Sequence, residues 1–467
     1  MDELSLCYES GTIVIEGPSP QVESLSLDLE ADPRTGGWRL PASQYTHLRA
    51  ELTSSGPFRD DVLSLPEPVS VASTYVLRPY QQRAVDAWLE TDRWSEATPP
   101  SDPALGTRQA PWGSLELPTG SGKTVIGLAC LERLATPTLV VVPTIDLLEQ
   151  WAVELETEYD CPVGRLGGGE QRLEPITVST YDSAWLRAAE IGDRFGLVIF
   201  DEVHHLGGER FREIARLLAA PARLGLTATF ERPDGAHEVI VELVGPLVHR
   251  IAADDLAGEY LATYDLKRIE VALTAAERRE YDRNRDIFSD YLARSNLSFQ
   301  TGSDYQQLVK RSGSDPAARE ALLANQRSRE IMQGSEAKLD ALASVLDDHR
   351  DDRTIVFTAH NDLAYDVAER FLIPALTHRT STSERRTILE RFRDGTYSRV
   401  VTSNVLNEGV DVPDASVAVV LSGSASKREF TQRLGRILRP TDDGRRAVLY
   451  EVISEDTAEE RLAERRR

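Results

Sequence analysis

The chain opens with a short apolar run, Gly11-Thr-Ile-Val-Ile-Glu16, whose β-branched residues stop at Gly17-Pro18 and predict a strand. It belongs to a small N-terminal module over residues 1–70, and Leu65-Pro66-Glu67-Pro68 marks the exit. Residues 92–112 are polar, carry Pro99, Pro100, Pro103 and Pro111, and predict a mobile loop that buries little. The pattern then changes. Between 113 and 250, the strand-length runs Leu139–Val142, Ile176–Ser179 and Leu197–Phe200 alternate with helix-period segments such as 122–134 and 145–157. Strands that are apolar throughout, rather than at every second position, predict a parallel sheet covered on both faces. Thr274-Ala-Ala-Glu277 reads as a capping box, with Tyr281, Phe288, Tyr291 and Leu292 following at helical spacing. Asp315-Pro316 opens another helix with proline at its first position. From about 336 the alternation resumes, with strands at Thr354–Phe357, Val400–Thr402, Val417–Leu421 and Val448-Leu449. The expected class is α/β: two parallel-sheet lobes, a small N-terminal α+β module and a helical insertion. The expected boundaries are 1–70, 71–255 for the first lobe, 256–335 for a linker strand and the insertion, and 336–467 for the second lobe.

Composition narrows the picture. A chain of 467 residues with 41% hydrophobic content can bury several cores, which excludes a disordered chain. Cys7, Cys130 and Cys161 lie far apart and form no C-x-x-C pair, which excludes a disulfide scaffold and a four-cysteine metal site. Such thiols suit a reducing cytoplasm. No apolar run approaches the roughly 18 residues that span a bilayer. Met1-Asp2-Glu3-Leu4 has neither the basic nor the apolar stretch of a secretory leader. The 76 acidic residues outweigh the 53 basic ones, for a net charge of −23. Only Lys123, Lys267, Lys310, Lys338 and Lys427 are lysine; the other positives are arginine. This combination reads as halophilic adaptation, in which an acidic surface keeps the protein soluble at high salt. Codon usage that favours arginine is the competing account.

The strongest local chemistry lies in Leu117-Pro-Thr-Gly-Ser-Gly-Lys-Thr124, between a strand and a helix. Glycines there let backbone N–H groups ring phosphate oxygens, so Thr119, Gly120, Ser121 and Gly122 are candidate contacts for ATP. Lys123 can reach the β- and γ-phosphates, and Thr124 can ligate Mg²⁺. Position 117, where the strict P-loop has glycine, is leucine. In Leu197-Val-Ile-Phe-Asp-Glu-Val-His-His205 an apolar strand delivers Asp201 and Glu202 to the carboxyl edge of the sheet, where ligands of such sheets bind. Asp201 is expected to hold Mg²⁺ and Glu202 to polarise the attacking water. His204 and His205 lack a third ligand at matching spacing, which argues against a metal site there.

Further segments resemble superfamily 2 helicases, and specifically the XPB family in its archaeal form. Leu77-Arg78-Pro79-Tyr80-Gln81-Gln82 resembles the adenine-side motif, implying nucleotide contacts from Arg78 and Gln81. Val141-Val-Pro143-Thr144 and Val178-Ser179-Thr180-Tyr181 resemble motifs Ia and Ib. Asp201-Glu-Val-His204 is similar to motif II, and Leu224-Gly-Leu-Thr-Ala-Thr229 to motif III. Ile355-Val-Phe-Thr358 resembles motif IV, Asn407-Glu-Gly-Val-Asp411 motif V, and Gln432-Arg-Leu-Gly-Arg-Ile-Leu-Arg439 motif VI. The order and spacing of these segments are far more specific than any one of them, and they cover about 75 to 455. The resemblance implies that both lobes are RecA-like and that the insertion is thumb-like. The first 70 residues then correspond by position to a damage-recognition domain.

The same resemblance implies site roles. Glu408, Gly409, Asp411 and Gln432 would serve the nucleotide, with Arg436 and Arg439 as catalytic arginines. Pro143, Thr144, Ser179, Thr180, Arg232, Asp234, Thr358 and Thr402 would face DNA. The family's Arg-Glu-Asp loop is spelled Arg232-Pro233-Asp234 here, so proline replaces its central acid. The implied function is an ATP- and Mg²⁺-dependent 3′–5′ DNA helicase or translocase of excision repair. It would be monomeric, cytoplasmic and nucleoid-associated, act on forked, single-stranded or duplex DNA, and could work beside a nuclease partner. Two rivals are a duplex translocase that leaves strands paired and a damage-binding scaffold whose ATPase only locks it in place.

Overall fold

The structure is a computed structural model. It describes residues 4–17, 22, 25–33, 36–55, 57–66, 69–91, 110–118, 120–231, 235–252, 255, 264–295, 302–403, 415–422 and 447–460. The chain divides into two compact units, one built from residues 1–256 and the other mainly from 257–467.

The first unit holds two sheets. The smaller comprises β1 (Leu4–Glu9), β2 (Thr12–Glu16), β3 (Glu30–Ala31), β4 (Trp38–Pro41) and β5 (Phe58–Asp61), in the order β3-β4-β2-β1-β5. Leu4, Leu6, Ile13, Ile15 and Leu40 alternate inward and pack on Tyr45, Leu48 and Leu52 of the helix Tyr45–Ser55. This module is seated on the larger sheet's helices: Tyr8 donates its hydroxyl to the Leu217 carbonyl at 2.9 Å. Gly192 leaves the room, since a Cβ there would lie 2.2 Å from the Tyr8 oxygen.

The larger sheet comprises β6 (Trp112–Glu116), β7 (Thr138–Val142), β8 (Gly164–Gly167), β9 (Glu170–Arg172), β10 (Ile176–Thr180), β11 (Leu197–Asp201), β12 (Ala222–Thr227) and β13 (Leu247–Arg250). Its order is β13-β6-β12-β11-β7-β10-β8-β9, parallel except for the β8–β9 hairpin. β7, β10, β11 and β12 are buried at every position, as expected of parallel strands covered on both faces. Each fully buried Val, Leu or Ile there contributes about 1.5–3 kcal/mol. β12 is anchored by Arg223, a buried guanidinium that donates to the carbonyls of Ala215, Leu218, Ala220 and Leu243 near the ends of two helices. Burial pulls its pKa down to about 10, so it stays charged at neutral pH.

The second unit carries a six-stranded parallel sheet. It comprises β14 (Tyr264–Val271), β15 (Thr354–Phe357), β16 (Ala375–Leu376), β17 (Arg399–Thr402), β18 (Val417–Val420) and β19 (Ala447–Ser454), in the order β14-β19-β18-β15-β17-β16. Between β14 and β15 the chain forms the helices Ala275–Ser295, Gly302–Ser312, Pro316–Gln333 and Glu336–Asp348. The Thr274–Glu277 capping box is formed: the Glu277 carboxylate accepts from Thr274 N at 2.8 Å, and Glu277 N donates to Thr274 Oγ1. Asp315 caps Pro316–Gln333 by accepting from Ala317 N. Lys338 is wholly buried, and its ammonium donates to Glu459 and to the Leu421 carbonyl, closing the end of β18. Phe288 and Leu308 pack together with Ala318 and Ala321 to form the insertion's own core.

Candidate nucleotide site

Strand order creates this site. β6 delivers Gly120–Thr124 and β11 delivers Asp201 and Glu202, while β12 runs between them and delivers Thr227 and Thr229. All three ends lie at the carboxyl edge of one parallel sheet. Gly120 and Gly122 have φ of 83° and 80°, left-handed values that glycine adopts without cost. At Gly122 any Cβ would also meet the Gln81 amide at 2.5 Å. The helix Lys123–Leu134 starts directly after this turn, so its free N–H groups and positive end face whatever the turn holds.

Lys123 Nζ lies 3.1 Å from Glu202 Oε1. Glu202 Oε2 is buried without a hydrogen bond, 3.5 Å from His204 Nδ1. Glu202 itself has φ 48° and ψ 54°, a left-handed conformation uncommon for a non-glycine residue and typical of functional turns. Asp201 is held at each of its acceptors. Its Oδ1 accepts from Glu202 N at 3.0 Å, Oδ2 from Trp151 Nε1 at 2.9 Å, and its carbonyl from the Tyr181 hydroxyl at 3.1 Å. Burial, reinforced by the adjacent Glu202, raises the Asp201 carboxyl above its ordinary range, while Lys123 and the Trp151 N–H oppose the rise. His204 Nδ1 lies 3.3 Å from Thr227 Oγ1, which ties the segment after β11 to the end of β12.

The adenine-side candidates close the turn from beneath. Gln81 Nε2 and Tyr80 Oη donate to the Ser121 carbonyl at 2.9 and 2.6 Å, and Gln81 Oε1 accepts from Arg78 N. Gln81 therefore braces the phosphate turn while keeping one amide hydrogen and one lone pair for another partner. The buried carboxylate pair, the unbonded Glu202 oxygen and the hydroxyl of Thr124 at the start of its helix suit a hydrated Mg²⁺ ion. Among the described residues no cluster of three or more His, Cys, Asp or Glu offers a metal cage.

Of the residues expected to face DNA, Thr144 and Thr180 cap the helices Ile145–Tyr159 and Tyr181–Ile191, accepting from Leu147 N and Ser183 N. Pro143 precedes the first of these and is half-buried. Ser179, Thr358 and Thr402 correct the expectation. Their side chains are fully buried, and their hydroxyls bond to the carbonyls of Thr180, His360 and Ser403, so they present no side chain to a nucleic acid. Thr119, Arg232, Asp234, Glu408, Gly409, Asp411, Gln432, Arg436 and Arg439, and most of the 92–112 loop, lie outside the described residues.

The family model for the xeroderma pigmentosum group B helicase damage recognition domain matches residues 6–62. The type III restriction enzyme res subunit model matches 74–232, and the helicase conserved C-terminal domain matches 337–441. The chain is 45% identical to the DNA 3′-5′ translocase XPB2 of Sulfurisphaera tokodaii, over 86% of this chain and 87% of the relative. It is 31% identical to the putative DNA 3′-5′ helicase Rad25 of Halobacterium salinarum, over 97% and 68%. The Hef helicase domain from Pyrococcus furiosus shares the fold, with a TM-score of 0.53 and 20% identity over 83% of this chain and 97% of that one.

Proposed function

The chain belongs to the XPB family of DNA 3′-5′ helicases and translocases, and we propose from that premise that it moves along DNA at the expense of ATP, in the service of excision repair. The observation that carries the reading is the Lys123–Glu202 pair at 3.1 Å beside the buried Asp201, at the end of a phosphate-binding turn. With nucleotide in the turn, Lys123 exchanges Glu202 for phosphate oxygens. Glu202, freed at one oxygen and already unbonded at the other, holds a water in line with the γ-phosphate and takes its proton. Asp201 and Thr124 would hold Mg²⁺, which would neutralise charge on the phosphates. Arg436 and Arg439 supply the further positive charge that this family resemblance assigns to motif VI.

DNA is the proposed track, and a nuclease is a candidate partner for the repair step. Among the described residues no helix is long and apolar enough to cross a membrane. ATP hydrolysis measured beside single-stranded, duplex and forked DNA and beside RNA tests the assignment. Stimulation by DNA and none by RNA is expected; equal stimulation by RNA would overturn it. Strand displacement on a naked fork then separates a helicase from a translocase that leaves strands paired.

Salt offers a second test. At 1 M salt the Debye length is about 3 Å, so attraction survives only near contact. Phosphate-driven affinity for duplex DNA falls by roughly 0.9 log units per log unit of salt for each phosphate neutralised. A chain of net charge −23 gains no long-range steering toward DNA. We infer that DNA is held by short-range arginine forks and backbone N–H groups, and that the fold needs salt to screen its carboxylates. Melting temperature and ATPase rate should both rise from about 0.1 M KCl toward molar concentrations. Maxima at the low end would leave codon usage to explain the scarce lysines.

A further inference from the structure

Trp151 and Tyr181 are aromatic residues with 1% and 2% exposure, which their burial alone would class as core. Their polar atoms converge on one residue. Trp151 Nε1 donates to the carboxylate of Asp201, and Tyr181 Oη donates to its carbonyl. No other side chains donate hydrogen bonds to Asp201 among the described residues, so Trp151 and the Glu202 amide fix the rotation of its carboxylate while Tyr181 holds its backbone. Both rings are clamped. A Cβ at Gly127 would lie 2.6 Å from the Trp151 ring, and Tyr181 sits 5.3 Å from Phe211 and 5.5 Å from His205 between ring centroids.

The two donors come from particular helices. Trp151 lies seven residues, about two turns, beyond the cap Thr144, and Tyr181 directly follows the cap Thr180. β11 is flanked by β7, and β7 by β10, so the helix that follows β7 starts next to the end of β11 and the helix that follows β10 one strand further out. A helix moves as a rigid rod over two turns, and Tyr181 is in the first turn of its own. A shift at either cap therefore reaches Asp201 through a single hydrogen bond.

We propose that Trp151 and Tyr181 are positioning residues, Trp151 orienting the carboxylate that would hold Mg²⁺ and Tyr181 holding its backbone, and that they link Asp201 to the two helix ends read as DNA contacts. The inference rests on the translocase reading above. Hydrogen bonds to a metal-binding carboxylate typically change metal affinity or activity by about 10–100-fold. The Tyr181 bond reaches only the backbone, so its effect should be smaller, about 5-fold.

The test uses the full chain and its Trp151→Phe and Tyr181→Phe variants, each of which keeps a ring and deletes a donor. Binding of a fluorescent ADP analogue is measured with Mg²⁺ and with EDTA. In Trp151→Phe the tightening that Mg²⁺ brings should shrink by about 10-fold, while affinity in EDTA stays at the wild-type value. DNA affinity without nucleotide should also be unchanged, and the factor by which duplex DNA raises kcat should fall in both variants. Tyr181→Phe removes one hydroxyl and is expected to melt close to wild type, so its result stands even where the smaller ring of Trp151→Phe loosens the core. A lower melting temperature with unchanged Mg²⁺ dependence and unchanged DNA stimulation in both variants would mean a merely structural role and overturn the inference. A wild-type chain whose hydrolysis DNA does not stimulate would overturn the translocase reading, and this inference with it.

Discussion

Lys123→Ala should abolish ATP hydrolysis, lowering kcat by at least the roughly 10²–10³-fold that follows loss of one donor aimed at developing charge. Two effects combine. The ammonium no longer meets the phosphates, and Asp201 and Glu202 lose the cation that offsets them. Lys123 and Glu202 are each only 12% exposed in their side chains, so the pair is mostly shielded from solvent. Removing one partner of a buried pair costs about 3–5 kcal/mol, an upper bound at a site open to water on one side. The nucleotide-free variant should therefore melt below wild type. Lys123→Met keeps the apolar stem and separates lost charge from lost packing. DNA affinity without nucleotide should persist, because the helix ends proposed to meet DNA, capped by Thr144 and Thr180, belong to other helices than that of Lys123. Hydrolysis near the wild-type rate in either variant would show that Gly120–Thr124 is not the phosphate turn.

The placement of Asp201 and Glu202 was readable because chemistry and periodicity agreed there. A strand apolar at every position that ends in Asp201-Glu202 can put those carboxylates only at its carboxyl edge, and β11 does so. The same rule misled at Ser179, Thr358 and Thr402. A hydroxyl near a strand end looks available, yet a parallel sheet covered on both faces buries both sides of the strand. Thr180, the last paired residue of β10, differs from them in that its hydroxyl caps the following helix by accepting from Ser183 N.

Other elements were faint for physical reasons. β14 spans Tyr264–Val271, but its Asp265, Lys267, Arg268 and Glu270 hide the strand pattern, which an edge position tolerates. The N-terminal strands β1 and β4 and the helix Tyr45–Ser55 are short and mixed in polarity, so only β2 showed a run. Trp151 and Tyr181 gave no signal as site residues, since a buried aromatic ring explains itself by packing. Only the direction of one N–H and one O–H connects them to Asp201, and no periodicity encodes that direction.

Glu202→Gln isolates the chemical step. The amide has the same shape and can occupy the same left-handed turn, but it cannot accept the proton of the attacking water. General-base catalysis contributes typically about 10²–10⁴-fold, and kcat should fall by that factor. Nucleotide affinity should change little, because Lys123, the glycine turn and Asp201 remain. The two variants should then diverge in stability. In the nucleotide-free wild type, Asp201 and Glu202 are neighbours in a buried site, and Glu202 disfavours the charge on Asp201. Glu202→Gln removes that repulsion and leaves Lys123 in the field of Asp201, which it already helps to keep ionised. The melting temperature should therefore hold or rise as activity disappears, the trade expected where a site is arranged for reaction rather than for stability. Thermal melting beside steady-state kinetics and nucleotide titration reads all three quantities. A drop in affinity as large as the drop in kcat would make Glu202 a binding residue. A fall in melting temperature would show that its pairing with Lys123 outweighs its repulsion of Asp201.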